Sequence, residues 1–232
     1  LLIKNKIEHV FLKGTALLFN KLYDDIGERM IGDIDILVAE KDVEKTFKLT
    51  KANGYYPQSK TKSFHTNESK HLKRQINKNK IFAIEIHKKL FITKHILEDN
   101  EYVKGVLDRK IKKNNIYMPS LTDQFRNNIM NYQINDNGRL FLSFSYKSYY
   151  DLYCILKNSK LELNNINENK YINSYFLVGK KMGIDFLKDL LINNKKMEIM
   201  RFNLVYNFSI IYKINIILCR LYLILKFIPD QL

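Results

Sequence analysis

Hydrophobic and polar positions follow one rhythm over the first hundred residues and another beyond them. HVFLKG (9–14) is a short apolar run ending in glycine and predicts a strand and a tight turn. TALLFNKLY (15–23) then places Ala16, Leu17, Phe19, Leu22 and Tyr23 at helical spacing. After the polar, glycine-punctuated loop DDIGERMIG, the run DIDILV (33–38) alternates strictly. Successive side chains of a strand point to opposite faces, so Ile34, Ile36 and Val38 share one face while Asp33, Asp35 and Leu37 share the other. EKDVEKTFKLTKANGY predicts a second helix, with apolar positions at Val43, Phe47 and Leu49, that stops at Asn53-Gly54, where glycine supplies a left-handed cap. HLKRQINKNKIFAIEIHKKL reads as two alternating runs joined at NKN, a hairpin whose second strand carries Glu85 and His87 on one face and Ile84 and Ile86 on the other.

Beyond about residue 95 the period becomes helical, punctuated by Pro119, Gly138 and Gly183, and no further strand is expected. MPSLTDQFRNNIMNY offers Ser120 as an N-cap with Asp123 in the first turn, and KSYYDLYCILKN and VGKKMGIDFLKDLLINN are further helix candidates. The Asn/Lys-rich patches at 158–170 and 193–197 read as surface connections. The fold class is therefore α+β: a small sheet flanked by helices over residues 1–104, followed by a mainly helical region over 105–232.

Composition changes this picture little. A 46% hydrophobic share with 15 Tyr and 14 Phe places the chain among folded globular proteins. The 39 Lys plus Arg against 24 Asp plus Glu, a formal charge of +15, favours polyanionic partners, although a chain this rich in Lys, Asn and Ile spreads much of that charge over solvated surface. Cys154 and Cys219 have neither metal-ligand spacing nor the makings of a disulfide framework, and the N-terminal stretch lacks an apolar signal core, so a cytoplasmic setting is expected. Near the C-terminus, Lys213, Arg220 and Lys226 divide an apolar run into pieces shorter than a spanning helix needs. Two readings stand for it: a buried terminal helix, or a helix lying on a membrane surface, which would make 204–228 a peripheral membrane contact.

The candidate chemistry sits on the two alternating strands. Asp33, Asp35 and Glu85 each face away from apolar neighbours, and carboxylates that share a site repel unless a cation neutralises them. A hard divalent ion does so through oxygen ligands and substrate phosphates, and a pair of such ions can activate an attacking oxygen and steady a leaving one. Gly14-Thr15, between strand and helix, would suit a phosphate: glycine admits close backbone approach, the helix N-terminus offers free N–H groups, and Thr15 adds a hydroxyl. Lys13 and Arg29 flank the two motifs as further phosphate contacts.

FLKGTALLFNKLY, RMIGDIDILV, NGY, the His71-Leu72 pair and IEIH (84–87) together resemble the uncharacterised nucleotidyltransferase family of the polymerase-beta-like superfamily, over about residues 8–92. The resemblance implies a nucleotidyltransferase-type sheet and a metal-dependent transfer of an NMP group from an NTP, ATP foremost, to an acceptor hydroxyl or phosphate. Pyrophosphate is the other product. It implies that Asp33 and Asp35 hold the ions that carry the triphosphate, Mg²⁺ or Mn²⁺ and two in number. Glu85 would ligate the catalytic ion and help deprotonate the acceptor, and Gly14-Thr15 would stand in place of the superfamily's Gly-Ser. His71 and His87 match family positions as accessory residues that orient carboxylates or touch the acceptor. The competing reading is a catalytically silent nucleotide- or nucleic-acid-binding module with the same fold. Nucleic acid is the less favoured ligand, because no ordered series of aromatic and basic residues is present and three carboxylates would repel a phosphate backbone.

Overall fold

A computed structural model of the chain describes residues 1–58, 69–92, 99–158, 161, 169–187 and 196–227. In chain order its elements are β1 (His9–Phe11), α1 (Lys13–Phe19), β2 (Asp33–Val38), α2 (Val43–Ala52), β3 (Tyr56–Pro57), β4 (Gln75–Ile76), β5 (Ala83–His87), α3 (Asp99–Asp108), β6 (Ile111–Lys113), β7 (Ile116–Met118), α4 (Leu121–Met130), α5 (Gly138–Phe141), α6 (Tyr146–Lys157), α7 (Lys170–Lys181), α8 (Lys196–Asn207) and α9 (Ser209–Phe227). They form two compact units, residues 1–131 with 150–166 and residues 132–149 with 167–232. The Asn/Lys-rich connections expected at 158–170 and 193–197 fall largely outside the described residues.

The first unit is built on a mixed sheet of order β1-β2-β5-β4-β3 among the described residues. β1 runs antiparallel to β2, β2 runs parallel to β5, and β4 runs antiparallel to both β5 and β3. The alternation in DIDILV divides the central strands as expected. Ile36, Val38, Ile84 and Ile86 join Leu2, Ile7, Val43, Tyr55 and Leu72 in a buried cluster. Burying each such aliphatic side chain stabilises the fold by about 1.5–3 kcal/mol, which ties the strands down and leaves their opposite face for other work. β4 and β5 form the expected hairpin, extended by a bridge between His71 and His87. α2 ends as its sequence predicts, with Gly54 at φ +84°, and a Cβ there would come within 2.9 Å of the Asn77 side chain.

Four expectations need correction. Gly14 does not sit in a turn ahead of the first helix: α1 already starts at Lys13, whose φ of +50° makes the sharp entry, and the helix ends at Phe19 rather than Tyr23. β6 and β7 form a second antiparallel ribbon where no strand was expected. Asn114 and Asn115 both take positive φ, and two consecutive left-handed residues make a hairpin turn whose twist suits the flanking strands. VGKKMGIDFLKDLLINN is not one helix. α7 ends at Lys181 and Gly183 (φ +77°) breaks the chain before a single 3₁₀ turn at Asp185–Leu187; residues 188–195 lie outside the described set.

The fourth concerns the C-terminal run in the second unit, which is two helices and not one. α8 and α9 turn through 114° at Phe208, and no single helix among the described residues is long and apolar enough to cross a membrane. α9 is also not simply buried. Its inner side packs through Cys219 and Ile211, while Ile210, Ile214, Ile217 and Leu221, one helical stripe, are exposed. The core of this unit holds Leu142, Val178, Phe202 and Val205 beside a stack of Phe144, Tyr149 and Tyr175. Gly179 is required there, since a Cβ would come within 2.5 Å of the Tyr149 ring.

In the first unit, Ser120 caps α4 as expected, accepting from the Asp123 amide at 3.1 Å. Asp123 is fully buried and also takes the Arg109 guanidinium, Nη2 to Oδ1 at 2.8 Å. That pair fixes α4 to α3.

Candidate active site

Parallel pairing of β2 with β5 sets Asp35 opposite Glu85 and Leu37 opposite His87. Because register partners on neighbouring strands point to the same side, Asp33, Asp35, Glu85 and His87 all lie on the face away from the apolar cluster. The pairing also places ligating atoms of Asp35, Glu85 and His87 within 4.8 Å of one another.

Asp35 is the buried centre of this group. Its Oδ1 accepts from the Lys13 ammonium at 2.5 Å and from Nε2 of His87 at 2.7 Å. Burial alone would raise the Asp35 pKa, but the His87 hydrogen bond and the Lys13 charge outweigh it and hold the carboxyl down at about 2. Glu85 lies 3.6 Å from His87 Nε2 and 3.9 Å from His71 Nε2, through Oε2 in both cases. Its pKa is lowered chiefly by His87, against some desolvation. His71 is turned by a 2.8 Å contact from Nδ1 to the Leu72 carbonyl, and its ring centroid is 5.0 Å from that of His87. Burial pushes its pKa down, so it favours the neutral form.

Asp33 stands slightly apart. Its Oδ2 is 3.6 Å from Nε of Arg74, and its pKa is raised by burial and then by the charges of Asp35 and Glu85. A carboxylate whose neighbours resist its ionisation is one that gains from a nearby cation.

The second part of the site is the start of α1. Thr15 Oγ1 is buried and has no hydrogen-bond partner among the described residues, an orphaned hydroxyl beside the first-turn amides. The Arg29 guanidinium lies against Gly14, where a Cβ would stand 3.1 Å from Arg29 Cζ. Arg29 is held there by Asp151 from α6, Nε to Oδ1 at 2.8 Å, and Asp151 also accepts from the Tyr23 hydroxyl at 2.5 Å. Burial and the Asp151 charge push the Tyr23 pKa far up, so the phenol stays a donor.

The structure thus brings Lys13, Asp35, Glu85, His87 and His71 together, with Gly14 and Thr15 next to Lys13 along the chain and Arg29 against Gly14, while Asp33 turns toward Arg74. Sequence reasoning did not pick out Arg74, Asp151 or Tyr23. Asp151 had one signal, as an acidic residue inside the otherwise apolar and aromatic run YYDLYCIL.

A mixed sheet with paired carboxylates on adjacent strands and a helix N-terminus beside them is the arrangement of a nucleotidyltransferase-type domain. The family profile of uncharacterised nucleotidyltransferases matches residues 1–170, and the chain belongs to that family. No curated protein matches the chain.

Proposed function

We propose that the protein is a metal-dependent nucleotidyltransferase that joins an acceptor hydroxyl or phosphate oxygen to the α-phosphorus of an NTP and releases pyrophosphate. The observation that carries this reading is the register of Asp35 with Glu85 across parallel strands, beside the α1 N-terminus. Carboxylate oxygens of Asp35 and Glu85 within 4.8 Å of each other fit a divalent cation, and these two residues, with Asp33 adjacent, are the ones that would hold it. Such an ion, Mg²⁺ or Mn²⁺, supplies charge neutralisation at the phosphates and acidifies the attacking group.

The chain's own residues do the rest. The α1 amides and the orphaned Thr15 hydroxyl bind phosphate oxygens, and Arg29, fixed by Asp151, adds a rigid fork beside Gly14. Lys13, with a side chain 36% exposed, has the reach to leave Asp35 for a phosphate. In this reading Glu85 takes up the proton that the acceptor oxygen loses. Incubation with labelled ATP, CTP, GTP and UTP, Mg²⁺ or Mn²⁺ and a cell extract, with mass analysis of the product, tests the reading. Transfer of labelled NMP with stoichiometric pyrophosphate supports it, and NTP binding without transfer from any extract overturns it. The second outcome is the one expected of a silent nucleotide-binding module, a reading favoured by the Lys13 ammonium already on Asp35.

A further inference from the structure

We infer that His87 is itself a metal ligand, and that a site of two carboxylates and one imidazole selects a first-row transition ion such as Mn²⁺ over Mg²⁺. This deepens the proposed function and rests on its metal-dependent reading, but its test involves no turnover.

The argument begins with spacing. Neighbouring donors around one octahedral ion, each about 2.1 Å from it, stand about 3 Å apart. Nε2 of His87 is 2.7 Å from Asp35 Oδ1 and 3.6 Å from Glu85 Oε2, which brackets that separation. Asp33, the carboxylate that a purely oxygen-based site would use, is drawn instead toward Arg74. His87 is also positioned as a ligand has to be. It is 1% exposed, in register with Leu37 on one side and bridged to His71 on the other, so its ring cannot swing away from the carboxylates.

Tautomer chemistry permits the role. In the structure Nε2–H donates to Asp35, whereas a ligating Nε2 must offer its lone pair. Nδ1 of the same ring has no hydrogen-bond partner among the described residues, so no donor holds it as an acceptor and the ring proton can reside there. Lys13, the other occupant of Asp35 Oδ1, has an exposed stem along which its ammonium can withdraw.

Ion choice follows from the donor set. Mg²⁺ is a hard ion that is bound through oxygen and surrenders water reluctantly, and an imidazole offers it little. Transition divalents accept imidazole and carboxylate together, and for a site of nitrogen and oxygen donors their affinity rises along the first row.

The test is titration of the full chain with Mn²⁺, followed by electron spin-echo spectroscopy of the bound ion. Directly coordinated imidazole is expected to give nitrogen modulation that persists in His71→Gln and disappears in His87→Gln, with Mn²⁺ affinity at least about tenfold weaker in the latter. Mg²⁺ is expected to displace Mn²⁺ only at about tenfold or greater excess. Should His87→Gln fail to fold, wild-type and His71→Gln proteins carrying ¹⁵N-histidine serve, since altered modulation in both reports a coordinated imidazole other than that of His71. Bound Mn²⁺ without nitrogen modulation, loss of the modulation in His71→Gln, displacement by equal Mg²⁺, or no Mn²⁺ binding would each overturn the inference. Nitrogen modulation in a protein without transferase activity would leave this site standing and remove the proposed function.

Discussion

Nε2 of His87 and the ammonium of Lys13 converge on one oxygen, Oδ1 of Asp35, at 2.7 and 2.5 Å. Asp35 Oδ1 therefore takes both an ammonium and an imidazole N–H, and Asp35 is the group at the centre of this face. Asp35→Asn is expected to cut pyrophosphate release from NTP by at least about a hundredfold, the scale of losing one preorganised electrostatic contact. The amide is isosteric, so far-ultraviolet circular dichroism should stay native. Turnover within a few-fold of wild type would remove Asp35 from the chemistry.

Arg29 and Asp151 make a buried pair, with side chains 9% and 6% exposed. Removing one partner strands the other charge away from water, so Asp151→Ala is expected to lower stability by about 3–5 kcal/mol in urea unfolding. Tyr23→Phe takes away one hydrogen bond to the same carboxylate and should cost about 1.5–3 kcal/mol. Equal losses from the two variants would mean that Arg29 is not held by Asp151 in solution.

Gly14→Ala separates phosphate binding from folding. Alanine gains up to about 1 kcal/mol of helix propensity over glycine, but its methyl would press on the Arg29 guanidinium at 3.1 Å and shift it by a few tenths of an ångström. The expected result is near-native unfolding with weaker NTP binding, read by calorimetry. Unchanged affinity would show that Arg29 does not touch the phosphates.

His9 gives the pH dependence. It is buried between the Phe11 and Tyr117 rings with Nδ1 donating to the Ile7 carbonyl, and burial pulls its pKa below 6.5. Above about pH 6.5 the imidazole is neutral in both folded and unfolded chains and contributes no slope. As pH falls below that, the unfolded chain takes up a proton that the folded one refuses, so stability declines by at most about 1.4 kcal/mol per pH unit until the folded pKa is reached. His71 shares this direction. His9→Gln should flatten the slope of unfolding free energy between pH 6.5 and 5.5 relative to wild type, and an identical slope would assign the effect elsewhere.

The period-2 pattern of DIDILV and the spacing of Glu85 from His87 were enough to find the central strands and their polar face, because alternation is a local property of the chain. The parallel pairing that sets Asp35 against Glu85 could not be read, since register is fixed by packing across a long crossover. The same limit hid Arg74 and Asp151, which meet the site only through the tertiary fold. β6 and β7 were missed for a different reason: each is three residues long, and Asn-Asn is a weaker turn signal than Asn-Gly. In the C-terminal run composition suggested one helix, whereas the break at Phe208 comes at a residue with no helix-stopping chemistry of its own.

His87 meets Asp35 across 52 residues of chain, and Arg29 meets Asp151 across 122. Loop closure over such spans is costly before any contact rewards it, so this face depends on the closed tertiary fold. No short peptide from this chain can carry the donor set. A fragment library or a truncated display format would lose the site while keeping its motifs, and recovered metal binding would serve as a stringent readout that a refolded preparation has closed its sheet.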